Sequence, residues 1–134
     1  MTGRVVNTVP PVNPDPHGWL AAARHMLSGT GDSGAFAVAG GWWPKACACL
    51  IRLALEAGID AFWRRTNPPI AACGSRRAKL LMMRHHKNLQ IALRASFAWA
   101  ALSRATHHHC YELSPTAGEL RHLHAEVCAI LDEL

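Results

Sequence analysis

The sequence predicts an all-α domain built as a bundle of four main helices, with room for a short fifth. Three observations carry this expectation. Apolar residues recur at intervals of three and four along most of the chain, prolines and glycines cut it into helix-length pieces, and no segment alternates apolar and polar residues between hairpin turns. At 134 residues the chain fits one domain and excludes a multidomain enzyme. Half of its residues are hydrophobic and 17% are charged, enough apolar material for a core and too much for a disordered segment.

The elements follow in order. Residues 1–14 hold three prolines and little periodicity and read as a flexible N-terminal tail, which leaves 15–134 as a single helical domain. Asp15-Pro16 starts the first helix, with Asp as N-cap and Pro at the first helical position, and the helix stops at Ser28-Gly29. Five glycines between 29 and 41 make the next stretch a loop, with space for one helical turn around Ala35 to Ala39. Pro44 opens the second helix, whose stripe is Cys47, Leu50, Ala54, Gly58 and Ala61, widened by Ile51, Leu55 and Phe62. Asn67-Pro68-Pro69 ends it. After Cys73-Gly74-Ser75 one long helix is expected from about Arg77 to about His108, burying Leu89, Ala92, Ser96, Trp99 and Ser103, with Leu93, Ala100 and Leu102 flanking. Small residues on that face favour close helix packing. Ser114-Pro115 or Thr116-x-x-Glu119, the second a capping-box pattern, starts the last helix, which should bury Leu120, Leu123, Val127, Ile130 or Leu131, and Leu134. Trp42, Trp43, Trp63 and Trp99 are expected as anchors of the core or of a dimer interface.

Five cysteines, an odd number, follow a polar, proline-rich N-terminus that does not resemble a signal peptide, so reduced thiols and a cytoplasmic location are expected. No uncharged apolar stretch reaches the roughly 18 residues of a spanning helix, so no membrane partner is expected. Charge is segregated. Of a net +5, residues 61–111 carry nine basic groups and no acidic one, and residues 112–134 carry five acidic groups and one basic. Such a field fits an anionic ligand such as RNA, or two halves of a chain matched to each other within the fold or across a dimer. Arg76, Arg77, Lys79, Arg84 and Lys87 crowd the start of the long helix as candidate contacts to an RNA backbone, or simply as a solvated face. Glu56 and Asp60, one helical turn apart, are their expected ion-pair partners, with Arg104 or a histidine as the other choice.

Chemistry concentrates in Arg104-Ala-Thr-His107-His108-His109-Cys110-Tyr111, where a guanidinium, three imidazoles and the only tyrosine lie within eight residues. Cleaving RNA without a metal needs a proton shuttle with a pKa near neutrality and a fixed cation for the charge that builds on phosphorus. Histidine and arginine supply these. Residues five apart on a straight helix differ by about 140° around its axis, so either the helix breaks near the motif or His108 shares the work with His109. Structurally, the same residues could cap the long helix, with Arg104 paired to Glu112 or to an acid of the last helix. A zinc site from His107, His108, His109, Cys110, His122, His124 and Cys47-x-Cys49 lacks any standard ligand spacing, so no metal and no cofactor is expected.

The pattern R-x4-H-x-Y, read as Arg104, His109 and Tyr111 in a small helical chain, resembles the HEPN superfamily, and most closely its HepT-type toxins. LIRLALEAGIDAFW is similar to the early HEPN helix, whose apolar run ends on an acidic residue, so a looser resemblance extends over residues 45–134. The resemblance implies a HEPN-like bundle, an Arg-His ribonuclease site at a homodimer cleft, and a tyrosine to which a nucleotidyltransferase antitoxin attaches AMP. Carried onto this chain, it makes Arg104 and His109 catalytic, with His108 beside them, and Tyr111 the modified residue. The expected function is therefore a metal-independent endoribonuclease, a hydrolase of toxin-antitoxin or defence type. The other expectation is a catalytically silent HEPN-like module that binds a protein or nucleic-acid partner.

Overall fold

A computed structural model of the chain describes residues 15–28, 43–107 and 114–134. These form six helices: α1 (Pro16–Ser28), α2 (Trp43–Thr66), α3 (Pro68–Ala71), α4 (Arg76–His86), α5 (Leu89–Thr106) and α6 (Ala117–Glu133). No strand occurs among the described residues. The expected tail at 1–14, the glycine-rich loop and Trp42 lie outside them.

The all-α expectation holds, but among the described residues the helix count is six, because a single turn, α3, follows α2 and the expected long helix is two. Its run of helix formers is cut at Lys87-Asn88. There the backbone turns extended, and the Asn88 side chain accepts a hydrogen bond from the Gln90 amide at 2.7 Å, capping α5 as a new helix. Ser75 caps α4 in the same manner by accepting from the Ala78 amide. Pro68-Pro69, expected only to end α2, also starts the single turn α3, since a proline at the first helical position gives up no needed donor. The capping box of α6 forms as read: the Glu119 amide donates to Thr116 Oγ1 at 3.1 Å and the Thr116 amide to Glu119 Oε2 at 3.3 Å.

Helix α2 is the axis of the bundle, packing against all five other helices. Its buried positions include Cys47, Ile51, Ala54, Leu55, Gly58, Ile59, Phe62 and Trp63, a stripe too wide for a single face. Gly58 marks a close approach to α6, because a Cβ there would fall on the Leu131 side chain. On α6, Leu120, Val127 and Ile130 of the expected stripe are buried together with His124, while Leu123 and Leu134 are only half-buried.

The face of α5 is corrected in part, since Ala92 and Leu102 were expected inside and Leu89 and Leu93 were too. Ile91, Ala92, Ala95, Ala98 and Leu102 are buried, whereas Leu89 and Leu93 are 54% and 45% exposed and Phe97 is 74% exposed. Once α5 restarts at Asn88, its alanine-rich side rather than its bulkier side packs inward on α2, which lets the two helices approach closely. The bulky stripe is left facing out.

Some opposite charges are matched inside the fold. Arg94 of α5 donates from Nε to Glu126 Oε1 at 2.7 Å and from Nη1 to Glu133 Oε2 at 3.1 Å, tying the basic middle of the chain to its acidic end. That hydrogen bond holds the Glu126 carboxyl below the usual range. On α2, Asp60 accepts a fork from Arg76, with Nη2 to Oδ2 at 3.2 Å, and a bond from Lys79 Nζ at 2.9 Å; the Lys79 side chain is only 7% exposed. Partial burial pushes the Asp60 carboxyl up, but the hydrogen bonds and charges of Arg76 and Lys79 more than offset it and hold its pKa below the usual value. Asp60→Asn should therefore cost about 2 kcal/mol at neutral pH, less than a fully buried pair because Asp60 and Arg76 are partly solvated. The sign of the pH dependence follows from the lowered pKa. The stabilisation is complete above the unfolded carboxyl pKa of about 3.9 and is lost as pH falls through the lower folded value, so melting curves of the two proteins should converge below about pH 4. A gap that does not narrow as pH falls below about 4 would contradict this assignment.

Candidate functional site

The chemically dense motif begins on the last turn of α5. Arg104 is exposed there and has no partner among the described residues, although the negative end of the helix dipole favours a cation at this place. It is not paired with α6, whose Glu126 and Glu133 are both engaged by Arg94. The helix ends at Thr106. His107 is already extended, with φ −82° and ψ 121°, and its amide closes the helix by donating to the Ser103 carbonyl at 3.1 Å. The helix thus ends before the first of the histidines, so straight-helix spacing does not continue past Thr106. His108, His109, Cys110, Tyr111 and Glu112 lie outside the described residues.

Behind the last turn of α5 stands α2. Arg52 donates from Nη1 to Thr106 Oγ1 at 2.9 Å, and the same hydroxyl donates to the Ser103 carbonyl at 2.9 Å. Arg52 Nε lies 3.4 Å from Glu56 Oε1, an ion pair one turn along the helix, and Trp99 Nε1 donates to that carboxylate oxygen at 3.1 Å. A continuous polar path therefore runs Trp99, Glu56, Arg52, Thr106 and Ser103 across the α2–α5 seam. Sequence reasoning missed Arg52. Its signal was present as an Arg-Glu pair at i, i+4 in an otherwise apolar helix. Glu56 meets α5 through Trp99 and, by its backbone carbonyl, α4 through Arg76; Asp60 meets α4; neither carboxylate takes Arg104.

The expected RNA contacts on α4 divide in two. Arg76 and Lys79 turn inward onto Asp60, while Arg77, Arg84 and Lys87 are exposed. Helical spacing explains the split, since Arg76 and Lys79 are three apart and share the face toward α2.

The remaining histidines and cysteines among the described residues do not assemble. Among the described residues no three His, Cys, Asp or Glu side chains are placed to hold one metal ion. His122 is exposed, whereas His124 is buried, with Nε2 2.9 Å from the Leu20 carbonyl and Nδ1 3.7 Å from the Cys128 thiol. Burial pushes the Cys47 thiol up to about 11, so it is neutral and unreactive at physiological pH. The chain matches no protein-family model, no curated protein and no solved structure.

Proposed function

We propose that the chain is a metal-independent endoribonuclease of toxin or defence type, acting as a HEPN-like homodimer. The observation that carries this reading is Arg104, an exposed guanidinium without a partner among the described residues, on a helix that ends two residues later and hands the chain to three consecutive histidines. In the proposed reaction the RNA 2′-oxygen attacks the adjacent phosphorus and the P–O5′ bond breaks. His109, with His108 beside it, takes the 2′-hydroxyl proton and a proton is returned to the departing 5′-oxygen, leaving a cyclic phosphate and a free 5′-hydroxyl. Arg104 holds the phosphoryl oxygens by forked hydrogen bonds as negative charge grows on them. Arg77, Arg84 and Lys87 track the RNA backbone, and Tyr111 is the point at which a nucleotidyltransferase antitoxin adds AMP.

The test is cleavage of RNA in the presence of a chelator, with cyclic phosphate ends as product. Cleavage by the wild type and its loss in His109→Ala are expected, and equal cleavage by both would remove His109 from the mechanism.

One observation favours the second reading, a catalytically silent module that binds a partner. The stripe Leu89, Leu93, Phe97 is exposed along α5, and between it and Leu123 of α6 lies a groove of about 400 Å³. In the ribonuclease reading the same stripe is the dimer face, because an exposed apolar row of this kind marks an interaction surface. Phe97→Glu should then convert a dimer to a monomer in sedimentation and lower the cleavage rate about 10-fold or more, because the cleft is lost. A monomeric wild type without ribonuclease activity would instead favour the binding module.

A further inference from the structure

Positions 104 and 106 are two residues apart and so about 200° apart around the axis of α5. Thr106 therefore faces α2 while Arg104 faces solvent, and whatever fixes Thr106 fixes the azimuth from which Arg104 leaves the helix. The Thr106 hydroxyl is used in both directions, accepting from Arg52 Nη1 at 2.9 Å and donating to the Ser103 carbonyl at 2.9 Å. That same carbonyl receives the His107 amide, the bond that ends the helix. Arg52 is itself drawn to Glu56 by an ion pair, its Nε 3.4 Å from Oε1 without a hydrogen bond, and Glu56 accepts a hydrogen bond from Trp99 Nε1. The Arg52 side chain is 27% exposed, so water competes only partly with this contact. The last turn of a helix ordinarily frays. Here a charged donor from a neighbouring helix clamps it.

We infer that Arg52, which lies outside the R-x4-H-x-Y motif, is a positioning residue for Arg104: it locks the last turn of α5 through Thr106 and so sets the direction from which Arg104 leaves the helix. The purpose of this lock rests on the ribonuclease reading. Its existence does not.

The test compares the full chain with Arg52→Ala, Arg52→Lys, Thr106→Val and Arg104→Ala. Thr106→Val keeps the branched shape and removes only the hydroxyl. Arg52→Ala and Thr106→Val should each lower kcat for RNA cleavage about 10- to 100-fold with KM within about twofold, as expected when a reacting group is displaced rather than removed. Arg52→Lys keeps one donor for Thr106 and should recover most of the rate. Adding Arg52→Ala to Arg104→Ala should cost almost nothing further, because Arg52 acts through Arg104. The second readout is amide exchange at His107, which should quicken about 10-fold in Arg52→Ala and Thr106→Val while the first two turns of α5 stay unchanged. Wild-type kcat in both variants alongside an inactive Arg104→Ala, or unchanged exchange at His107, would overturn the inference. A wild type that cleaves no RNA overturns the ribonuclease reading and the purpose of the lock, and the exchange at His107 then decides whether the lock itself exists.

Discussion

Arg104→Ala should lower kcat for RNA cleavage by about 10²- to 10³-fold while moving the melting temperature by no more than a few degrees. The expected loss is that of removing one well-placed donor to a developing oxyanion, about 3–4 kcal/mol of transition-state stabilisation. The small structural effect follows from what Arg104 touches. It is exposed and has no ion pair among the described residues, so truncation forfeits only its interaction with the carboxyl end of α5, about 0.3–1 kcal/mol. A purely structural arginine would show the reverse pattern, with stability lost and no specific effect on chemistry. Arg104→Lys separates charge from shape. Lysine keeps the cation but not the planar fork that grips two phosphoryl oxygens, so it should fall between the wild type and alanine, nearer to alanine. KM should rise less than kcat falls, since the contact strengthens as charge builds in the transition state. Cleavage unchanged in Arg104→Ala would end the catalytic assignment, and equal losses of rate and stability would return Arg104 to a helix-capping role.

How much of this was legible in the sequence varies by element, for physical reasons. The helices that carry their own boundary chemistry were readable: Asp15-Pro16 starts α1, the Thr116/Glu119 box starts α6, and Asn67-Pro68 stops α2. The break at Lys87-Asn88 was also written in the chain, as an N-cap residue before an apolar run, but strong helix formers on either side hid it. On α5 the expected face is right in part: Ala92 and Leu102 are buried and Ser96, Trp99 and Ser103 half-buried, but Leu89 and Leu93, expected inside, are exposed. Ile91, Ala95 and Ala98, not expected there, complete the buried stripe, because close approach of α5 to α2 rewards small side chains. At the candidate site, Arg104 was found through its motif. Arg52 was not, since its contact with Thr106 spans 54 residues and no local pattern encodes a bond across a helix seam. Asp60 lay between these cases: its ion pairing was expected from charge, and the particular choice of Arg76 and Lys79 came from the helical phase of α4.

Trp63→Ala should destabilise the fold by about 3–5 kcal/mol and lower the melting temperature by about 10–20 °C, the largest effect expected of any single substitution in the core. Trp63 is fully buried, the largest of the side chains that are, on the helix that every other helix touches. Its indole meets Phe62 edge-on at 5.0 Å between ring centroids and meets the His86 imidazole at the same distance, with interplanar angles of 69° and 73°. The first contact is local to α2. The second reaches the last turn of α4, just before the break at Lys87-Asn88, so Trp63 both fills the core and fixes where α4 ends. Truncation to alanine leaves a cavity that the surrounding helices, held apart by their own packing, close only in part. Trp63→Phe should cost far less, about 1–2 kcal/mol, because phenylalanine keeps an aromatic edge for His86 and eliminates an indole N–H that is buried without a hydrogen-bond partner among the described residues. The two variants can be told apart by amide exchange as well as by melting. In Trp63→Ala the amides of residues 83–87 should lose protection ahead of those in α2, since α4 loses its anchor while α2 retains its other neighbours. Uniform loss of protection would mean that α4 is held by Asp60 and not by Trp63. A melting point within 3 °C of the wild type would mean that the core is not centred on α2.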